Sequence, residues 1–282
     1  MVVRRISRLL RRPDFRNNPL KAVCRRVRWH IRWLFKKQPW PLRLNDSLEI
    51  LAPKGGVGAL IYYLGSSEPE TTQFLTRFLR SGMVVWDIGA HIGEYSLLAA
   101  QRVGRNGRVD AFEPHPDMAG LLARSVSKNR LENVHLHVLA ASDQNGTAHL
   151  SIHSEPAISS LGPETRSTTR ISTTTLDAFH ESAGCPPNLV KVDVEGAERL
   201  VLRGAARLLS LESAVAPVWI MEYAPENCAR FGYSAAELPS SFATTGHYTY
   251  WLNENGDLVP TSEPPPWQSS GNFVASKREL NI

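Results

Sequence analysis

Apolar positions between residues 83 and 225 follow two alternating periods. The short apolar runs "MVVWDIG", "GRVDAFEP", "VHLHVLAAS", "NLVKVDVEG" and "APVWIMEYAP" predict strands. Between them, "EYSLLAAQRVG", "PDMAGLLARSVSKNR" and "AERLVLRGAARLLS" repeat apolar residues every three or four positions and predict helices. Strands alternating with helices of this length imply βαβ units, hence an α/β fold whose parallel sheet is covered on both faces.

The flanks follow other patterns. "SLEILAP" and "ALIYYLG" predict two lead-in strands around the turn "KGG", and "EPETTQFLTRFLRSG" predicts a helix with Phe74, Leu75, Phe78 and Leu79 on one face and a stop at Gly82. The polar stretch "HSEPAISSLGPETRSTTR" reads as a long loop inserted over the sheet. "HYTYWLNENGDLVP" and "GNFVASK" read as antiparallel strands around an "ENG" turn. Toward the start, Val23, Val27, Ile31 and Leu34 recur at helical spacing from Pro19 to Lys37, among Arg and Lys and close to Trp29, Trp33 and Trp40. This is a basic amphipathic helix, suited to an anionic membrane surface, to nucleic acid, or to packing on its own domain with a solvated rim. The chain thus divides into an arm (1–40), lead-in elements (41–81) and the α/β domain (82–282).

Charge sharpens that division. Of the 32 Lys and Arg, thirteen fall in residues 1–40, against one of the 27 acids, Asp14; the remainder carries 19 basic and 26 acidic residues. No apolar run approaches the roughly 20 residues of a spanning helix, so no transmembrane segment is expected. "MVVRRISRLLRRPDF" has the positive end of a secretory signal without its apolar stretch. Cys24, Cys185 and Cys228 lie far apart, with no CxxC and no histidine at ligand spacing, which argues against a disulfide framework and a structural zinc site. A cytoplasmic setting follows as the default expectation, and no metal site is expected.

The candidate chemistry starts at "DIGAHIGEYS". A dinucleotide fingerprint needs GxGxxG after its strand, but counting from Gly89, His91 and Glu94 stand where the second and third glycines belong. What remains is Asp87 at the strand end, Gly89 and Gly93 in a tight turn, and a glutamate at the helix start that would oppose a phosphate. Glu113 ends the next strand, where a carboxylate bonds ribose hydroxyls in nucleotide-binding α/β folds. Together these residues suit a nucleoside with a positive charge and no phosphate chain, and S-adenosylmethionine fits that description. Asp143, in "LAASDQNG", lies where a loop could reach adenine, and is equally a good turn starter. Asp193 and Glu195 end another buried strand and Glu222 the one after it. Three carboxylates on one rim suit general-base or metal work, since a hydroxyl must lose its proton as it attacks a methyl group. Glu195 and Glu198 also suit the first turn of the following helix. Lys191, alternating on the same strand, is a partner for one of the acids.

The series "DIGAHIGEYSLLAA", "FEPHPDM", "VLAASDQNGTAHLSI", "STTTLDAF", "LVKVDVEGAERLVLRGAARLL" and "NFVAS" resembles the FkbM family of S-adenosylmethionine-dependent methyltransferases over roughly residues 60–277. The resemblance implies a class I (Rossmann-like) methyltransferase fold: a seven-stranded, mostly parallel sheet whose last strand runs antiparallel. It implies O-methylation of a hydroxyl on a sugar, glycolipid or natural product. It also implies Asp87, Gly89, Ala90 and Gly93 around the methionine part of the methyl donor, Glu113 on the ribose and Asp143 near adenine, with Asp193, Glu195 and Glu222 bordering the acceptor. Family members carry a glutamate ahead of the first motif, and "YYLGSSEPE" offers Glu68 or Glu70 in a shifted register.

Two other function classes fit parts of the chain. The arm, with arginines for phosphates and tryptophans for stacking, suits an RNA methyltransferase, although the (N/D)PP(Y/F) tetrapeptide of base amino-methylation is absent. A non-catalytic binding module could share the same sheet. His91 is a base, substrate contact or cofactor cover within the turn; His135, His137, His149 and His153 read as surface residues.

Overall fold

The computed structural model describes residues 15, 18–35, 39–152, 159–161, 168–263, 265–266 and 270–280. Helix α1 (Pro19–Phe35) precedes a two-stranded ribbon, β1 (Trp40–Arg43) and β2 (Glu49–Ala52), and then α2 (Val57–Leu64) and α3 (Pro69–Phe78). The alternation follows: β3 (Val84–Ile88), α4 (Glu94–Val103), β4 (Arg108–Phe112), α5 (Pro116–Asn129) and β5 (Val134–His137). β6 (Ala140–Ala141), β7 (Gly146–Ile152), β8 (Ser159–Leu161) and β9 (Thr168–Thr174) form a second small sheet. α6 (Leu176–Ala183), β10 (Leu189–Val192), α7 (Glu198–Arg203), α8 (Ala206–Ser210) and β11 (Val218–Tyr223) complete the alternation. α9 (Pro225–Arg230), α10 (Glu237–Thr244), β12 (Tyr248–Leu252), β13 (Leu258–Pro260) and β14 (Gly271–Ser276) close the chain.

The main sheet has the order β13-β12-β14-β11-β10-β3-β4-β5. Its β5 to β11 portion is parallel, and β14 inserts antiparallel between β11 and β12. This is the expected class I methyltransferase sheet, with eight strands where seven were implied. β13 is the addition, because the turn at Asn253–Gly256 folds it back onto β12.

Period-2 alternation sends side chains to two cores. Trp86, Ile88, Val190, Val192, Trp219 and Met221 pack against Leu176, Val201, Leu208 and Phe242 from α6, α7, α8 and α10. Val85, Val109, Ile220 and Val274 pack the other way, on Phe74, Leu75, Tyr95 and Ala99 from α3 and α4. Asp87 and Lys191 face each other in register and share the α3/α4 side.

Four local expectations change. "ALIYYLG" forms α2 rather than a strand, with Gly58 and Ile61 on one buried face, Tyr63 buried on another side, and Gly65 closing the helix in the left-handed region at φ 91°. "AERLVLRGAARLLS" splits into α7 and α8 at Gly204, where an added Cβ would stand 2.0 Å from the Ser142 carbonyl oxygen. "VHLHVLAAS" breaks after His137, and its second half pairs with β9. The supposed long loop contributes β8 and the start of β9, paired with β7; residues 153–158 and 162–167, with His153, lie outside the described residues. Among the described residues no helix is long and apolar enough to cross a membrane.

Candidate active site

The turn after β3 is built by its neighbours. The amides of Gly89 and Ala90 both donate to the Phe112 carbonyl oxygen at 2.9 Å, and that of His91 donates to Glu113 Oε2 at 2.7 Å. Three successive N–H groups that a phosphate loop would offer its ligand are thus used within the protein. Gly89 has φ 84°, and a Cβ there would lie 1.9 Å from the Asp193 carbonyl oxygen; Gly93, at φ 94°, would meet Leu122 Cδ1 at 2.2 Å. The glycines therefore serve the close approach of β10 and α5. Glu94 is consumed at the helix start by Ser66 Oγ (2.8 Å), Ser67 N (2.9 Å) and Ser67 Oγ (2.6 Å).

Glu113, buried at the end of β4, also accepts the His115 amide through Oε1 at 2.7 Å. Burial pushes its carboxyl up to about 7, against the pull of those two amides. It lines a cavity of about 130 Å³ that opens to solvent. His91, His115, Asp193 and Glu195 share the lining with an apolar wall that includes Met118, Leu139, Ala140 and Leu150. Neither ring nitrogen of His91 has a hydrogen-bond partner, and burial lowers its imidazole to about 4, so the ring is neutral.

Behind the wall lies a buried ionic cluster. Lys191 Nζ bonds Asp193 Oδ2 at 3.0 Å and stands 4.6 Å from the centre of the Tyr95 ring. Burial alone would lower the ammonium; the Asp193, Glu68 and Asp87 carboxylates override it and hold Lys191 charged. Asp87 accepts from Ser96 Oγ at 2.6 Å, while its Oδ1 has no partner. Burial raises the Asp87 and Glu68 carboxyls, opposed by Lys191. Glu68 Oε2 accepts from Tyr95 Oη (2.8 Å) and Asn272 Nδ2 (3.0 Å), so the shifted register before the first motif brings Glu68 into this cluster.

On the remaining rim, Asn227 Nδ2 donates to Glu195 Oε2 at 2.8 Å and, more distantly, to Glu222 Oε2 at 3.5 Å. Glu195 sits at φ 55°, a conformation few non-glycine residues adopt. Burial, with the Asp193 charge adding to it, raises Glu195 to about 7; burial and the surrounding acids raise Glu222 to about 10. Glu198 takes the structural part foreseen for it, accepting the Val194 and Gly196 amides at 3.1 Å.

Of the sequence-selected residues, Gly89, Glu113, Asp193 and Glu195 line the cavity. Asp87, Ala90 and Gly93 stand behind it, Glu222 beside Asn227, and Asp143 is exposed in the turn after β6. His137 is no simple surface residue: it is half-buried, packed on Phe112 and Phe179, with Nε2 2.9 Å from Asp110 Oδ1. The apolar wall, Asn227 and Asn272 went unselected, since side chains from separate elements meet only in the fold; "FEPHPDM" alone hinted at His115 and Met118. Among the described residues no group of three or more His, Cys, Asp or Glu could hold a metal ion.

A family model described as the methyltransferase FkbM domain matches residues 87–258, from Asp87 on β3 to Leu258 on β13. The chain belongs to the FkbM methyltransferase family. Within reach of this FkbM domain, the hexuronic acid methyltransferase AglP of Haloferax volcanii is 29% identical over 143 residues, covering 50% of this chain and 58% of AglP. The chain therefore spans little more than half the length of that relative. The structure of a SAM-dependent O-methyltransferase from Thermotoga maritima superposes with a TM-score of 0.41 at 12% identity, over 89% of this chain and 83% of that one. Aeropyrum pernix fibrillarin, with S-adenosyl-L-methionine bound, gives 0.43 at 12% identity, over 73% of each chain. Neither likeness bears on substrate.

Proposed function

We propose that this protein is an S-adenosylmethionine-dependent O-methyltransferase acting on a hydroxyl of a sugar, glycolipid or natural product. One observation carries the reading: a single cavity holds both Glu113, at a ribose-type strand end, and the Asp193–Glu195 pair at the end of β10. Those residues fit the donor. Its ribose hydroxyls would find Glu113, whose oxygens retain lone pairs after bonding two amides, and its adenine would find the wall of Met118, Leu139, Ala140 and Leu150. Its amino group would find the Asp193 carboxylate on the cavity wall. When bound, the donor supplies an electrophilic methyl group.

The chain's own part is orientation and proton removal. Glu195, near neutrality and on the cavity wall, takes the acceptor's proton; Asn227 orients it through Oε2. Asp193, held by Lys191 Nζ at 3.0 Å, faces the cavity from the end of β10. The relationship to AglP, whose name specifies a hexuronic acid, favours a sugar-containing acceptor. The RNA alternative loses its stacking residues, since Trp29, Trp33 and Trp40 are all buried.

Calorimetric titration with S-adenosylmethionine tests the donor: Glu113→Ala should weaken binding about tenfold or more, a loss of ~1.4 kcal/mol. Unchanged affinity would remove the ribose assignment. Incubation with methyl-labelled donor and glycan, lipid and RNA pools tests the acceptor, with label expected in a glycan or glycolipid; label in RNA alone would overturn the reading.

A further inference from the structure

Helix α1 packs on the protein by one side only. Ala22, Trp29 and Trp33 are buried, Trp33 stacks on Trp40 at 3.9 Å, and Arg25 Nη1 donates to the Tyr63 carbonyl oxygen of α2 at 2.8 Å. The opposite side carries Leu20, Val23, Val27, Ile31 and Leu34, between 48% and 80% exposed. They are five of the eight exposed large apolar side chains among the described residues, and they form one stripe at helical spacing. Singly exposed apolar residues need no explanation, whereas a contiguous stripe does. Exposed Lys21 and Arg28 flank it, and α1 holds five Lys or Arg and no acid.

Charge selects what covers the stripe. A second copy would bring two arms together, each with thirteen basic residues and one acid in positions 1–40, and like charges would repel. An RNA would meet leucine, valine and isoleucine, while the aromatic residues that could stack are turned inward. An anionic bilayer answers both features: the stripe enters the boundary between headgroups and acyl chains, and the cations meet lipid phosphates. We propose that α1 docks this protein on anionic membrane surfaces. α1 shares its core cluster with Val57 of α2 and Met118 of α5, and both also line the cavity. The helix that meets the membrane therefore packs directly behind part of the cavity wall, a placement that suits a membrane-anchored glycolipid as the acceptor. That last consequence rests on the methyl-transfer reading; the docking does not.

Cosedimentation of the full chain with vesicles of about 30 mol% phosphatidylglycerol in phosphatidylcholine, and with pure phosphatidylcholine, tests the docking. The protein should pellet with the anionic vesicles and stay in solution with the neutral ones. Val27→Glu/Ile31→Glu should lower the partition at least about tenfold, and Lys21→Gln/Arg28→Gln should lower it in a salt-dependent way. All four side chains point outward, so circular dichroism and the Tm should be unchanged. Equal binding to neutral vesicles, an undiminished partition of Val27→Glu/Ile31→Glu, or a stripe-dependent dimer without vesicle binding would overturn the proposal. If donor binding fails while vesicle binding holds, the methyl-transfer reading falls alone.

Discussion

The carboxylate of Glu113 accepts the backbone N–H of His91 at 2.7 Å, tying the end of β4 to the turn after β3. The same side chain accepts the His115 amide. A residue expected to bind ribose is thus first a clamp between two loops, and it meets any ligand already oriented. Such pre-ordering lowers the entropic cost of binding.

Gly89 separates two causes of glycine strain. Gly89→Ala combines φ 84° with a Cβ 1.9 Å from the Asp193 carbonyl oxygen, whereas Gly65→Ala combines φ 91° with nothing within 4 Å. Gly65→Ala should cost about 1–2 kcal/mol, and Gly89→Ala more than about 4, as measured by denaturant unfolding. Equal losses would mean that the contact with Asp193 relaxes freely.

Removing the charge from Lys191 leaves Asp193, Asp87 and Glu68 without their buried counter-ion. Lys191→Met should destabilise by about 3–5 kcal/mol in thermal or denaturant melts. The loss should shrink at acid pH, where the carboxylates can take up protons. A variant as stable as the wild type at neutral pH would show that these acids are already neutral in the fold.

Glu222 has a defined pH signature. Its folded carboxyl, raised by burial to about 10, keeps its proton where the unfolded chain, with the ordinary value of 4.5, has lost it. That contribution to stability is complete below the ordinary value, declines as pH rises, and is gone above about 10. Glu222→Gln cannot ionise, so its Tm advantage over the wild type should grow from about pH 6 to about pH 9. Parallel profiles would contradict the raised value.

In the proposed role of base, Glu195 must be ionised. With its carboxyl raised to about 7 by burial and Asp193, kcat/KM should climb as pH rises through that value and then level off. Glu195→Gln should lower kcat by roughly 10² to 10⁴ and abolish that limb. A surviving limb in the variant would move the proton transfer to another group.

Much was legible from local pattern. The strand–helix alternation, the strand ends bearing Asp87, Glu113, Asp193 and Glu222, and the pairing of Lys191 all follow from period 2 and period 3.6, which place side chains before any contact is known. The misread segments were those where pattern is ambiguous. "ALIYYLG" is apolar throughout, so its pattern fits strand or helix; in the fold it is a helix in which Gly58 and Ile61, three positions apart, share a buried face.

For the site, the sequence by itself determined which chemistries could arise: an incomplete phosphate loop, a carboxylate one strand later, and acids grouped on one sheet edge. Only tertiary structure decided which oxygens remain for a ligand and which are spent on Ser66, Ser67 or backbone amides. It also decided that Trp29 and Trp33 of α1 turn inward while Val27 and Ile31 stay outside. The reason is physical. Periodicity fixes a residue's direction relative to its own element, whereas burial and hydrogen-bond partners depend on which element arrives opposite, and that is set by contacts between segments far apart in the chain.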